Sequence, residues 1–164
     1  ICHADEKYVK VAGEWNYWWS IKDCWGNLIH SIVTSQRDLE SAETLFRGAR
    51  KRIGRTVDIL IRDGLAAYDK STKLLGRRCK SVVSGINGKI FMHKKRLYFL
   101  TNNPAESLNS EIDAHLSRVQ YNFANLKSAN LFANRFMLYR YLRKSSADKN
   151  LSGATSLLLR ALTI

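Results

Sequence analysis

The hydrophobic period of this chain changes at Asp38, and that change limits what it can fold into. Before it, Ile1 to Val11, Trp15 to Ile21 and Leu28 to Ser35 mix apolar and polar residues in rough alternation. They are rich in β-branched and aromatic side chains, the pattern of strands whose two faces meet different surroundings. Ala12-Gly13-Glu14 and Asp23-Cys24-Trp25-Gly26-Asn27 separate them, which predicts three antiparallel strands joined by short hairpins. From Asp38, a predicted N-cap, Leu39, Ala42, Leu45, Phe46 and Ala49 recur at helical spacing up to Gly54. Thr56 to Arg62 then returns to a strand pattern that Asp63-Gly64 ends. Leu65 to Leu75 reads as a short helix closed by Gly76, and Arg78 to Val83 as a fifth strand.

Asn102-Asn103-Pro104 opens another helix, because proline suits the first helical position and asparagine the cap before it. That helix runs to about Gln120, and a longer one from about Leu126 to Lys144. Gly85 to Leu100 is rich in glycine and lysine and has no assignable pattern, and neither has the tail after Ser145. The order predicts an α/β domain over residues 1–144, with residues 145–164 a tail of unassigned structure. Its sheet is mixed and five-stranded, three antiparallel strands then two parallel, flanked by helices. A three-strand meander feeding helix-crossed parallel strands is the order of a ribonuclease H-like fold, one candidate among several on pattern alone.

Composition narrows the class. Hydrophobic residues make up 45% and charged residues 25% of the chain, a globular mix that argues against disorder. No apolar run approaches the roughly 18 residues that span a bilayer, and no secretory leader is expected. The start at Ile1 suggests a fragment of a longer product. Three cysteines, Cys2, Cys24 and Cys79, form no CxxC pair and no complete disulfide framework, so a reducing cytosol is the simplest setting. With Lys plus Arg at 27 against Asp plus Glu at 14, the net charge is +13. A field of that sign attracts a polyanion, either nucleic acid or an anionic membrane surface.

The carboxylates fall in telling places. Asp5 lies inside the first strand, a costly position for a charge unless it is paired or holds a metal. Asp63 ends the fourth strand, at the sheet edge where α/β folds bind ligands. Glu106 lies in the first turn of the Pro104 helix. If the fourth strand lies beside the first, Asp5 and Asp63 are neighbours, and a helix over that edge brings Glu106 to them. Three such carboxylates would hold one or two Mg²⁺ or Mn²⁺ ions, hard cations that take oxygen ligands. Each has an ordinary explanation too: a wet strand face for Asp5, Asp-Gly turn chemistry for Asp63 and a capping box for Glu106. Glu111 and Asp113 compete for the third place. Asp113 falls within about 20° of Glu106 around the helix, and Glu111 about 140° away.

At this point several segments resemble a known family. "CHADEKYVKVAGEWNYWWSIKDCWGNLIHSIVTSQRDLESAETLF" is similar to the opening of the catalytic core in DDE transposases of prokaryotic insertion sequences. There an aspartate-glutamate pair precedes a hairpin and an aromatic strand, and "SQRDLESA" resembles the arginine-aspartate entry into the first helix. "ILIRDGLAAYDKS" resembles the strand that ends in the second aspartate, with a tyrosine downstream. "TNNPAESLNSEIDAHLSR" resembles the segment that carries the third acid, and "FANLKSANLFANRFMLYRYLR" the helix after it. The similarity extends over about residues 2–144.

The resemblance implies a ribonuclease H-like, integrase-like fold and an acidic triad at Asp5, Asp63 and Glu106, the last preferred to Glu111 and Asp113. It further implies two divalent ions, Mg²⁺ or Mn²⁺, cleavage at element ends and transfer of the 3′-hydroxyl to target DNA. Homo-oligomers assembled on DNA, no membrane, and a prokaryotic cytoplasmic, nucleoid-associated location belong to the same expectation. The stretch from Asp63 to Glu106 is longer than the resemblance leads one to expect, with the excess in Gly85–Arg96.

The candidate DNA contacts are Lys94, Lys95 and Arg96, flanked by His93 and Tyr98, with a solvated loop as the plain alternative. Arg118 and Lys127, the cations between Glu106 and Phe132, complete the set. Arg47, Arg50, Lys51, Arg52 and Arg55 suit the carboxyl end of the first helix through its dipole. Of Trp15, Trp18, Trp19 and Trp25, at least two are expected in the core. Tyr68 either seats the site or packs. Two other functions stay open on sequence: a non-catalytic DNA-binding or assembly module derived from a transposase, and another ribonuclease H-like nuclease.

Overall fold

A computed structural model of the chain describes residues 1–84, 90–93, 96–99, 103–118 and 122–147, with side chains placed for 1–84, 107–117 and 122–144. Three long strands, β1 (Cys2–Val11), β2 (Glu14–Asp23) and β3 (Leu28–Thr34), form the expected meander. The β1–β2 turn places Ala12 and Gly13 at positive φ, 51° and 85°, where a glycine is unstrained. Asp23 builds the next turn by accepting from the backbone N–H of Trp25 and of Asn27, at 2.9 and 2.8 Å.

Helix α1 (Leu39–Ile53) begins where the period changes. The Asp38 carboxylate caps it by accepting from the Ser41 N–H at 2.9 Å, and Gly54 ends it at φ 67°. Strand β4 (Ile59–Arg62) is shorter than its apolar run suggests. Val57, ahead of it, donates to the Leu75 carbonyl outside the ladder, at 3.1 Å. Helix α2 (Ala66–Ser71) is also shorter than expected and tightens into a 3₁₀ turn over Thr72–Leu74. Strand β5 (Lys80–Val83) follows.

The sheet order is β3-β2-β1-β4-β5, with β1, β4 and β5 parallel and the rest antiparallel. It is the mixed five-stranded sheet expected from sequence. A separate hairpin, β6 (Ile90–His93) with β7 (Arg96–Phe99), occupies the stretch that carried no pattern. Helices α3 (Asn103–Arg118) and α4 (Leu126–Ala147) complete the described chain. The expected boundary at Lys144 falls inside α4; residues 148–164 of the tail lie outside the described residues.

Strand alternation sends side chains to two cores. Cys2, Ala4, Trp19, Ile21 and Leu60 meet Leu45, Phe46 and Tyr68 on the α1–α2 face. Val9, Val11, Trp18 and Val33 meet Leu108, Ile112, Ala133 and Phe136 on the α3–α4 face. Trp18 and Trp19, consecutive in β2, therefore serve opposite cores, whereas Trp15 and Trp25 stay 62% and 63% exposed. Asn130 of α4 bonds both backbone groups of Val33, accepting from its N–H at 2.8 Å and donating to its carbonyl at 2.7 Å. That side chain satisfies the outer edge of β3 and fixes α4 on the sheet.

Candidate metal centre

Parallel pairing of β1 with β4 sets Cys2, His3 and Ala4 opposite Leu60, Ile61 and Arg62. Asp5 and Asp63 each follow directly on the last pair, Ala4 and Arg62, so two acids far apart in sequence become neighbours. Asp5, Glu6 and Asp63 each offer a carboxylate oxygen within 4.8 Å of the others. Three like charges so close repel unless protons, cations or hydrogen bonds offset them.

Each carboxylate is held differently. Asp5 lies on the α3 side of the sheet, nearly buried, and its Oδ2 accepts from Asn109 Nδ2 at 2.8 Å. Burial pushes its pKa up to about 6. The Asn109 hydrogen bond opposes that rise, while the charges of Glu6 and Asp63 add to it. Glu6, one residue on, belongs to the opposite face, where Tyr68 Oη donates to its Oε2 at 2.6 Å and Arg37 pairs with Oε1. Asp63 Oδ1 accepts from the Leu65 N–H at 3.0 Å, the turn chemistry expected of Asp-Gly. Its Oδ2 lies 3.5 Å from Arg37, and a third of the side chain remains open to solvent. Arg37 therefore touches this acid without sealing it.

The end of β4 is fixed from below. Arg62 is buried, donating to Ser81 Oγ at 2.9 Å and to the Asp63 carbonyl at 2.7 Å, and it pairs with Asp69 of α2. Tyr68 is fully buried between Trp19, edge-on at 5.7 Å, and Phe46, stacked at 5.6 Å. It thus packs and seats the site at once.

Glu106 lies in the first turn of α3, three residues before Asn109 and so about one turn from the side chain that bonds Asp5. Its own side chain is outside the described residues. The competing acids on α3 are engaged elsewhere. Asp113 pairs with Lys7, which also donates to the Asn109 carbonyl at 3.2 Å, and Glu111 pairs with Arg140 of α4 at 3.3 Å.

Among the proposed DNA contacts, Lys94 and Lys95 lie outside the described residues. Arg96 opens β7 and Arg118 ends α3, and both side chains lie outside them too; Lys127 is exposed in the first turn of α4. The reading of the bare residues left Glu6, Arg37 and Asn109 without a role. Glu6 and Arg37 stood in motif segments, the aspartate-glutamate pair and the arginine-aspartate entry, which was the available signal. Asn109 had only its spacing from Glu106. No helix among the described residues is long and apolar enough to cross a membrane.

Comparisons with known proteins agree with this architecture. A chain in the cryo-EM structure of the simian T-cell lymphotropic virus intasome in complex with the PP2A regulatory subunit B56 gamma superposes with a TM-score of 0.50 at 14% identity. The match covers 97% of the present chain and 46% of that one, so the likeness is one of fold and spans under half of the neighbour. No curated protein matches the sequence. The family model for the DDE domain of IS240-type transposases matches residues 1–146. With that match over most of its length, on a ribonuclease H-like sheet whose adjacent strands bring Asp5 and Asp63 together, the chain belongs to the DDE domain family of transposases.

Proposed function

We propose that this domain is a metal-dependent DNA strand transferase, cutting at the ends of a mobile element and joining the freed 3′-hydroxyl to target DNA. Asp5, Asp63 and Glu106 would hold two divalent ions, Mg²⁺ or Mn²⁺. The observation that carries the reading is the convergence of carboxylate oxygens from β1 and the end of β4 within 4.8 Å, in a chain of net charge +13. The donor set is all carboxylate, which fits hard cations and not zinc, whose protein sites favour sulfur and nitrogen. When bound, such ions activate a water or 3′-hydroxyl and stabilise the leaving oxygen of the phosphodiester.

The chain's own residues do the rest. Asn109 orients Asp5 from α3, and the Leu65 N–H fixes one oxygen of Asp63 so that the other stays at the mouth of the site. Glu106, one turn from Asn109, would supply the third carboxylate. Lys94, Lys95, Arg96, Arg118 and Lys127 are the proposed contacts to the DNA backbone. DNA is the partner in this reading, with homo-oligomers forming on paired element ends in the prokaryotic cytoplasm.

The test is Asp63→Asn, which keeps the turn acceptor but removes the charge. Mg²⁺-dependent cleavage of element-end DNA is expected to vanish while DNA affinity stays within a few-fold of wild type. Undiminished cleavage by the folded variant would remove Asp63 from the reaction.

A further inference from the structure

Arg37 stands at the arginine-aspartate entry into α1, and the reaction proposed above gives it no part. Its guanidinium is bound along one edge. Nε donates to Glu6 Oε1 at 2.7 Å and Nη2 pairs with the same oxygen, while Nη2 also lies 3.5 Å from Asp63 Oδ2. Nη1 makes no hydrogen bond among the described residues, and the side chain is 38% exposed.

Its anchor is the reverse. The Glu6 side chain is 4% exposed, with one oxygen on Arg37 and the other on Tyr68, whose ring is locked between Trp19 and Phe46. A relay of hydroxyl, carboxylate and guanidinium thus runs from the core to the rim of the carboxylate cluster. A carboxylate held at both oxygens cannot swing, so the guanidinium it carries has a set orientation.

The other cations beside the site are paired or buried, Lys22 next to Asp5 being 2% exposed. Lys7 is on Asp113 and the Asn109 carbonyl, and Arg62 is buried on Ser81 and Asp69. An anionic phosphate entering beside three carboxylates needs a donor that offsets their field. Among the described residues Arg37 is the solvent-exposed cation at the cluster, with Nη1 turned to no acceptor there. Arginine is suited to the task, since its guanidinium stays charged and can bind a carboxylate on one edge while another nitrogen still donates to phosphate.

The geometry points to a phosphate-binding subsite beside Asp63, in which Nη1 of Arg37 binds a phosphodiester of the DNA backbone. Glu6 and Tyr68 are the positioning residues. The subsite rests on the function proposed above only for the identity of its ligand.

The experiment measures binding of the whole chain to a random-sequence duplex, with Ca²⁺ in place of Mg²⁺, at 50 to 200 mM salt. Each phosphate contact contributes about 0.9 to the slope of log K against log[salt]. Arg37→Gln is expected to lower the slope by about one, and Arg37→Lys to restore affinity only in part. Mn²⁺ affinity without DNA should stay within twofold.

The Arg37→Gln, Glu6→Gln double variant guards against misfolding, because it leaves no buried carboxylate without its partner. It should melt near the wild-type temperature and still lack the same slope increment. An unchanged slope in that double variant makes Arg37 only the ion-pair partner of Glu6 and overturns the subsite. So does tighter Mn²⁺ binding with unaltered DNA binding, which would make Arg37 a stand-in for the cations. Neither readout requires cleavage, so failure of Asp63→Asn to stop the reaction is a separate result.

Discussion

Asn109 shows how much of the site depends on a residue that carries no charge. Asp5 sits where burial favours the protonated form, and the hydrogen bond from Asn109, with a smaller one from the Glu6 backbone, favours the carboxylate there. Side chains that orient metal ligands are worth about 10–100-fold in metal affinity or activity. Asn109→Ala is expected to reduce Mg²⁺-dependent cleavage within that range and to raise the Mg²⁺ concentration giving half the maximal rate. Thermal midpoint should move little, because Asn109 is only half-buried and its apolar neighbours on α3, Leu108 and Ile112, still hold the helix to the sheet. A full rate at unchanged Mg²⁺ demand would show that Asn109 only bridges α3 to β1. At this scale the sequence was partly legible. Asp5 and Asp63 stand out because a strand interior and a strand end are odd places for an acid. Glu6 and Arg37 do not, since their importance comes from Tyr68, a residue more than sixty positions from Glu6 that only the folded chain brings near.

Among the elements, α3 carries both the proposed third acid and the side chain that bonds Asp5. It touches the sheet through Leu108 and Ile112, both buried, through the Asn109 bond to Asp5 and through the Lys7 bonds to Asn109 and Asp113. Ile112→Ala would leave a void between α3 and the β1–β2 face. Such truncations cost about 2–5 kcal/mol, a large share of the stability of a domain this size. The expected outcome is a lower denaturant midpoint and a loss of cleavage exceeding that of DNA binding, because the proposed third acid rides on this helix. Equal stability would mean that α3 is held from elsewhere. The elements legible in the sequence are those whose signals are local. The hairpins of β1–β3 declare themselves by turns and alternation, and α1 by its Asp38 cap and Gly54 stop. Strand β4 and helix α2 are shorter than their apolar patterns predict because apolar residues flanking a short element also serve the core. Val57 and Leu75 are both buried yet stand outside the element that each was assigned to. The β6–β7 hairpin was missed because its residues lack a clear alternation, and the pairing that makes it a sheet is not written in either strand alone.

Across the whole molecule, charge is divided between a basic exterior and a buried polar seam in the sheet, and that division predicts an acid response. His30 of β3 lies against Gly48 of α1, so close that a Cβ on Gly48 would fall 2.0 Å from its Nε2. Its Nδ1 is buried with no hydrogen-bond partner among the described residues, and Arg52 of α1 faces it electrostatically. Burial, then that arginine, lowers the His30 pKa to about 4 from an ordinary 6.5. Between those values the unfolded chain binds a proton that the folded chain refuses, so stability falls as pH drops from 6.5 towards 4. His3 has the same sense, lowered to about 4 by burial and by Lys22. Asp5 has the opposite sense. With its folded pKa near 6 and an ordinary value of 3.8, the folded state takes up the extra proton, and stability rises on acidification across that window. His3 and Asp5 therefore largely offset each other, which leaves His30 as the net acid-sensitive group of the three. Urea unfolding from pH 7 to pH 4.5 should show a declining midpoint in the wild-type protein. In His30→Leu, which removes the titrating group and fills the same space beside Gly48, the decline should be clearly shallower. An equal decline in both proteins would place the acid sensitivity elsewhere, with the carboxylates that pair with arginine on the surface the next to test.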